Sequence, residues 1–503
     1  MRRGAGGGQR HSSPNWLSDI EKAEPEAPHV LILPIPAQGH LKPMLKLAEL
    51  LSYASFQITF LNTEYFHHTF LSSIDIHAFS RRFPKFQFVT IPDGLPPDSP
   101  RPGKGIAHYL ISLTDAAKPA VVEVLVSLRY KSGRPPTCII ADGIMSSAAV
   151  AAGEEFGIPV LAFRTYSACC TWTFFHLSNL VEGGEVPLPD KDMDKLVTCI
   201  PGLENVLRHR DLPSFCRLEK ADDHLLYDFF IAQASAMRRA SALILNTFEQ
   251  LETPFISKLA SIFSKIYTIG PLHCLSNVDD PTALASTKSI FWQEEKGCLT
   301  WLDSHPSKSV VFVSFGSLVT FTLDQMLEFW HGLVNSGKPF LWVIRPNAII
   351  GEDDPRKILE DLKDNTKGKG SIVSWAPQEE VLAHPAVGAF LTHSGWNSTL
   401  ESIYAGVPMI CWPLFVDQYV NSRCVSYVWR VGFDMKDSCH RSIVEKMVRD
   451  VIEMKNEEII KSMKEISKQA QGSVKENGHS YCNLDKMIQD IMSVNLENIN
   501  RRD

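Results

Sequence analysis

Short apolar runs recur along the chain and alternate with stretches whose apolar residues fall at helical spacing. The first run, HVLILPI over 29–35, carries only apolar side chains from Val30 onward, as a strand covered on both faces requires. A loop at 36–40 leads into PMLKLAELL over 43–51, where Leu47, Leu50 and Leu51 share a helical face and Pro43 suits a first turn. A second strand is predicted over 56–61, completing a β-α-β unit and so implying a parallel sheet covered by helices. The alternation continues with strands predicted at 86–91, 137–141, 160–163 and 242–246. Between 270 and 294 the pattern lapses into Pro271, Asn277, Asp279, Asp280, Pro281 and Ser286, a surface linker. It then restarts, with strands expected at 310–314, 340–344, 371–374, 387–392 and 407–411 and a helix at 323–336. The stretch 463–491 has no proline and reads as helical, with Gly472 and Gly478 as candidate breaks.

The expected organisation is therefore a leader over 1–27, an α/β domain over 28–269, the linker 270–294, a second α/β domain over 295–470, and a C-terminal helix and tail over 471–503 that packs on the first domain. A length of 503 residues agrees, because it exceeds what one hydrophobic core usually serves. The leader is glycine-rich at Gly4–Gly8 and then acidic, without the apolar region of a secretory signal, which predicts a solvated segment.

A formal charge of -7 supplies no electrostatic reason to expect nucleic acid or an anionic membrane as partner. No run approaches the roughly 20 apolar residues of a membrane span. Eleven scattered cysteines without C-x-x-C spacing predict free thiols in a reducing compartment, the cytoplasm.

In open α/β sheets ligands bind beyond the carboxyl ends of the strands, so the loops there carry the chemistry. The strand at 387–392 runs into HSGWNS over 393–398. Gly395 allows close backbone approach, while Asn397 and Ser398 stand where helix caps belong, and the helix N-terminus they open is a ready phosphate site. Upstream, Trp375 at a strand end offers a flat face for a base. Downstream, Asp417 and Gln418 suit neighbouring sugar hydroxyls. In the first half, PAQGH over 36–40 presents His40, an imidazole able to take a proton near neutral pH, and the strand at 137–141 ends in Asp142.

These residues carry a resemblance. The segment WAPQEEVLAHPAVGAFLTHSGWNSTLESIYAGVPMICWPLFVDQ over 375–418 resembles, without a gap, the signature box of plant family 1 UDP-sugar-dependent glycosyltransferases. The resemblance implies a GT-B fold, two Rossmann-like doubly wound domains facing a cleft, with the donor held by the second. It places Trp375 on the uracil and the Ala376 backbone at its edge, Gln378 and Glu401 on the ribose, and His393, Asn397, Ser398 and Ser317 on the diphosphate. Trp396, Asp417 and Gln418 face the sugar. His40 is implied as the base and Asp142 as its supporting carboxylate, by the logic of other His–Asp pairs.

The activity implied is an inverting transfer of glucose from UDP-glucose to a small lipophilic acceptor, giving a β-glucoside. Gln418 and Trp396 are the glucose-type residues of that box. Neither cofactor nor metal is implied, the partners are small molecules, and a monomer is expected. The phrases over 36–46, 61–65 and 163–170 are most similar to iridoid (7-deoxyloganetic acid-type) and related terpenoid glucosyltransferases. A flavonoid or other phenolic acceptor is the alternative, and a sugar-nucleotide sensor without chemistry is the reading from another class.

Arg164 interrupts an apolar strand. It either pairs with Glu154 or Glu155 or reads an acidic group on the acceptor. Asp192 and Asp194 spell a D-x-D, but they lie in a charged loop and read as solvated surface.

Overall fold

The computed structural model describes residues 27–73, 76–99, 101, 105–188, 192–275, 292–351, 354–435 and 438–500. The leader up to residue 26, and with it Gly4–Gly8, lies outside the described residues, as does 276–291 of the expected linker. Two parallel sheets organise the chain. The first contains β1 (His29–Leu33), β2 (Gln57–Thr63), β3 (Phe86–Ile91), β4 (Cys138–Asp142), β5 (Val160–Arg164), β6 (Ala242–Leu245) and β7 (Ile266–Thr268), in the order β3-β2-β1-β4-β5-β6-β7. The second contains β8 (Val310–Ser314), β9 (Phe340–Val343), β10 (Gly370–Val373), β11 (Val387–Thr392), β12 (Met409–Cys411) and β13 (Gly432–Asp434), in the order β10-β9-β8-β11-β12-β13. The α/β reading of two doubly wound sheets is borne out.

Burial explains why these segments are strands. Val30 and Ile32 of β1 belong to one apolar cluster and Leu31 and Leu33 to another, so alternate side chains feed cores on opposite faces. One apolar cluster is continuous between the two halves, running from Leu31 through Cys169 to Trp396, Cys424 and Trp429. The halves therefore share a core as well as a cleft.

Several boundaries differ from the sequence expectation. The first helix spans Gln38–Tyr53, so Pro43 lies inside it and not in its first turn. Proline has no N–H to donate four residues back, which leaves the Gly39 carbonyl free of its intrahelical partner. The strand expected from 407 begins at Met409, because Gly406 caps the preceding helix in the left-handed region (φ 73°). The helical tail is two helices, Glu457–Ser473 and His479–Asn500. The chain turns at Gly478, where a Cβ would fall 2.3 Å from the Gly472 carbonyl oxygen; Gly472 itself stays helical. The edge strands β7 and β13 have three residues each, too few for a periodic signal.

The last helix lies across the first sheet. Leu484, Met487, Ile488 and Ile491 join the cluster that holds Val30 and Ile32. Thr137 Oγ1 donates to Asn495 Oδ1 at 3.0 Å, and Lys265 Nζ reaches Asp490 Oδ2 at 3.0 Å. Because Ile488 is fully buried, Ile488→Ala is expected to cost about 2–5 kcal/mol of unfolding free energy. A chemical-denaturation midpoint unchanged from wild type would show that the helix is not part of the core.

Candidate active site

In each sheet the strand order reverses once, between β1 and β4 and between β8 and β11, and such points open a crevice at the strand carboxyl ends. The two crevices face a common cleft of about 780 Å³ lined by residues of both halves.

At the first reversal His40 follows β1 and Asp142 ends β4. His40 Nδ1 lies 2.7 Å from Asp142 Oδ2, and Thr165 Oγ1, just past β5, lies 2.9 Å from the same nitrogen. Asp142 is buried, and its other oxygen accepts the Ile144 N–H at 3.0 Å, which fixes the carboxylate. An Nδ1–H donated to this carboxylate leaves Nε2 as the basic nitrogen of a neutral ring. Tyr166 packs edge-on against the imidazole at 5.5 Å between centroids. Ile106, Leu110, Ile144, Tyr166 and Phe230 give this end of the cleft an apolar wall.

At the second reversal His393 follows β11 and Ser317 follows β8. The His393 ring is wedged between two glycines, since a Cβ at Gly316 or Gly395 would come within 2.6 or 2.4 Å of its Nε2. Burial, with the nearby Arg345 charge, pushes its pKa down to about 4, so the ring is neutral at physiological pH. The helix Trp396–Ala405 begins one residue earlier than expected, with Gly395 as its cap. Asn397 and Ser398 are thus first-turn residues and not caps. Asn397 Nδ2 donates to the Gly39 carbonyl at 2.8 Å, the acceptor that Pro43 left free, and so ties the His40 loop to this helix. Ser398 Oγ accepts from Gln378 Nε2 at 2.9 Å.

The remaining expected residues gather in the same half. Trp375 and Ala376 follow β10, and Trp292 stacks on Trp375 at 5.9 Å and 19°. Glu401 is buried and accepts from Gln378 Nε2 at 2.6 Å and from Lys42 Nζ at 3.1 Å. Asp417 is buried and accepts from Asn421 Nδ2 at 2.7 Å; burial raises its pKa to about 6. Gln418 Oε1 accepts the Leu414 N–H at 2.9 Å, which shapes the loop after β12. Trp396 borders the cleft, but its indole N–H is spent on the Asn246 carbonyl at 2.7 Å.

Arg164 stands apart. It is buried behind Tyr166 (guanidinium carbon 4.4 Å from the ring centroid), touches Phe174, and does not line the cleft. It pairs with neither Glu154 nor Glu155 among the described contacts. Glu154 instead meets Arg239 at 2.8 Å. Arg164 Nη2 finds no hydrogen-bond partner among the described residues. Asp194 of the D-x-D pairs with Arg208 and Arg210 at the surface. Among the described residues no group of three or more His, Cys, Asp or Glu side chains could hold a metal ion, and no helix is long and apolar enough to cross a membrane.

Sequence reasoning missed Lys42, Thr165, Asn246 and Trp292. Lys42 and Thr165 lie within the phrases 36–46 and 163–170 but were given no role there, and each of the four meets its partner only through the fold.

Comparison with known proteins bears on the family and the fold. A family model described as UDP-glucoronosyl and UDP-glucosyl transferase matches residues 211–469. A 7-deoxyloganetic acid glucosyltransferase of Catharanthus roseus is 46% identical over 93% of this chain and 98% of its own length. A myricetin 3-O-rhamnoside 1,2-glucosyltransferase of Crocosmia x crocosmiiflora is 45% identical over 94% of this chain and 98% of its own. The crystal structure of Medicago truncatula UGT71G1 complexed with UDP-glucose superposes with a TM-score of 0.75 at 29% identity, covering 94% of this chain and 99% of that one. The chain belongs to the family of UDP-sugar glycosyltransferases of GT-B fold.

Proposed function

We propose that this enzyme is an inverting UDP-glucose-dependent glucosyltransferase whose acceptor is a small lipophilic alcohol or acid of the iridoid or wider terpenoid class. The observation that carries the reading is the His40–Asp142 pair standing across one cleft from the helix N-terminus at Trp396. In the proposed reaction His40 Nε2 takes the acceptor proton as the acceptor oxygen bonds to the anomeric carbon. The bond from that carbon to the diphosphate oxygen breaks on the opposite face, and UDP leaves. Asp142, through Nδ1–H, holds the tautomer and stabilises the imidazolium. The N–H groups at Trp396 to Ser398, with Ser317 and neutral His393, would receive the charge on the leaving diphosphate. Trp375 and Ala376 would take the uracil, Gln378 and Glu401 the ribose, and Asp417, Gln418 and the Trp396 turn the glucose.

The apolar wall supports a lipophilic acceptor, and the Catharanthus roseus relative supports an iridoid. The Crocosmia relative, at nearly the same identity, favours a second reading with a flavonol glycoside as acceptor. A non-catalytic sensor would have no use for a base oriented by two partners. Arg164 would act on the acceptor through Tyr166, whose ring it holds beside His40. The eleven free thiols support a cytoplasmic site, and we propose a monomer. Incubation with UDP-glucose and a panel of iridoids, terpenols and flavonol glycosides, read by product mass and anomeric configuration, tests the reading. Hydrolysis alone, or an α-linked product, would overturn it.

His40→Ala is expected to lower kcat by about 10²–10⁴-fold with UDP binding retained. The double variant with Asp142→Asn should lose less than the product of the single losses, because the two act as one unit. Near-wild-type turnover of His40→Ala on an alcohol would remove His40 from the mechanism.

A second expectation concerns pH. With its pKa raised to about 6, Asp417 is ionised above that value and accepts sugar hydroxyls, and it is protonated below. KM for UDP-glucose should therefore rise as pH falls through about 6, while inhibition by UDP alone follows a different profile. Asp417→Asn should abolish the difference between the two profiles. Identical profiles in the wild type would mean that Asp417 does not touch the sugar.

A further inference from the structure

Glu401, a donor-site residue of the second half, receives a side chain from the first. Lys42 lies two residues beyond His40 on the helix Gln38–Tyr53 and lines the cleft. Its ammonium sits 2.5 Å from Glu379 Oε1 and 3.1 Å from Glu401 Oε1. Burial alone would lower the Lys42 pKa, but the two acids more than reverse this and hold it above the ordinary lysine range. Burial would likewise raise the Glu379 carboxyl, yet the Lys42 charge, with His273 and Lys46 nearby, keeps it below its ordinary value. Two carboxylates that would otherwise repel are thus gathered on one cation that belongs to the opposite domain.

Glu401 is held from both sides. Gln378 donates to Oε2 and Lys42 to Oε1, so the plane of the carboxylate is set while each oxygen keeps further acceptor capacity.

We propose that Lys42 is a positioning residue for the nucleotide. It orients the Glu401 carboxylate for the ribose hydroxyls and makes the UDP site incomplete without the first domain. The inference rests on the ribose role proposed for Glu401. It adds that donor affinity depends on a first-half side chain through this ion triad. Lys42 touches no reacting atom in this arrangement, so its removal belongs to binding more than to chemistry.

The test measures UDP binding by calorimetry, without acceptor or turnover, alongside steady-state kinetics with UDP-glucose. Lys42→Met is expected to weaken UDP by about tenfold and to raise KM for UDP-glucose in parallel, with kcat changed by less than about threefold. Lys42→Arg should restore most of the affinity. Adding Glu379→Gln to Lys42→Met should recover part of it, because one of the two unpaired acids is then neutral. A merely structural lysine would lower the melting temperature without this charge-specific recovery. Unchanged UDP affinity in Lys42→Met overturns the proposal, as does a double variant no better than the single one. Failure of every panel acceptor to be glucosylated would overturn the functional reading and leave the UDP measurements standing.

Discussion

A parallel sheet sends every strand out at the same edge, and the whole site depends on that constraint. His40, Asp142 and Thr165 stand at the ends of β1, β4 and β5. Ser317, Trp375, His393 and Asp417 follow β8, β10, β11 and β12. Each group is far from the others in sequence, yet each inherits its place from backbone hydrogen bonding that is indifferent to chemistry. At the two reversals of strand order the neighbouring helices leave to opposite faces, and the gap between them admits a ligand. The base pair occupies one gap and the phosphate-type turn the other.

Placing two gaps face to face requires contacts between the halves that are specific as well as apolar. Pro43 supplies one by subtraction. Its missing N–H exposes the Gly39 carbonyl, and Asn397 satisfies that carbonyl from across the cleft. The Trp396 indole on the Asn246 carbonyl and the Trp429 indole on the Leu251 carbonyl, at 3.1 Å, are two more links of this kind. All three join a donor of the second half to a backbone acceptor of the first, so main-chain geometry helps set the register of the cleft alongside side-chain pairs such as Lys42 with Glu401.

This division explains what could be read from the sequence. The strands with apolar runs, the turn at 393–398, and the His40 and Asp142 positions come from local patterns or from a contiguous motif. The boundary errors have local causes too: Pro43 suggested a helix start, whereas the Gln38 turn precedes it, and Asn397 suggested a cap, whereas Gly395 takes that place. Lys42 was illegible for another reason. On an amphipathic helix a lysine reads as solvated surface, and its partners lie 337 and 359 residues away. Thr165 was equally silent, because a threonine after a strand carries no signal until a histidine is packed against it.

The electrostatics of the cleft then divide the proposed reaction between the halves. The first half must accept a proton, and in the proposed reaction it would do so with the His40 imidazole, whose far nitrogen is bonded to a buried carboxylate. The second half must receive the charge of a leaving diphosphate. Among the described lining residues the lysines are Lys42, tied to two acids, and Lys296, paired with Glu380 at 3.2 Å. His393 is neutral. The diphosphate would therefore meet backbone N–H groups and hydroxyls, donors already oriented before the bond breaks, beside an uncharged imidazole. Such donors stabilise developing charge without having to reorganise, and they add no free cation that would hold the departing nucleotide by charge alone.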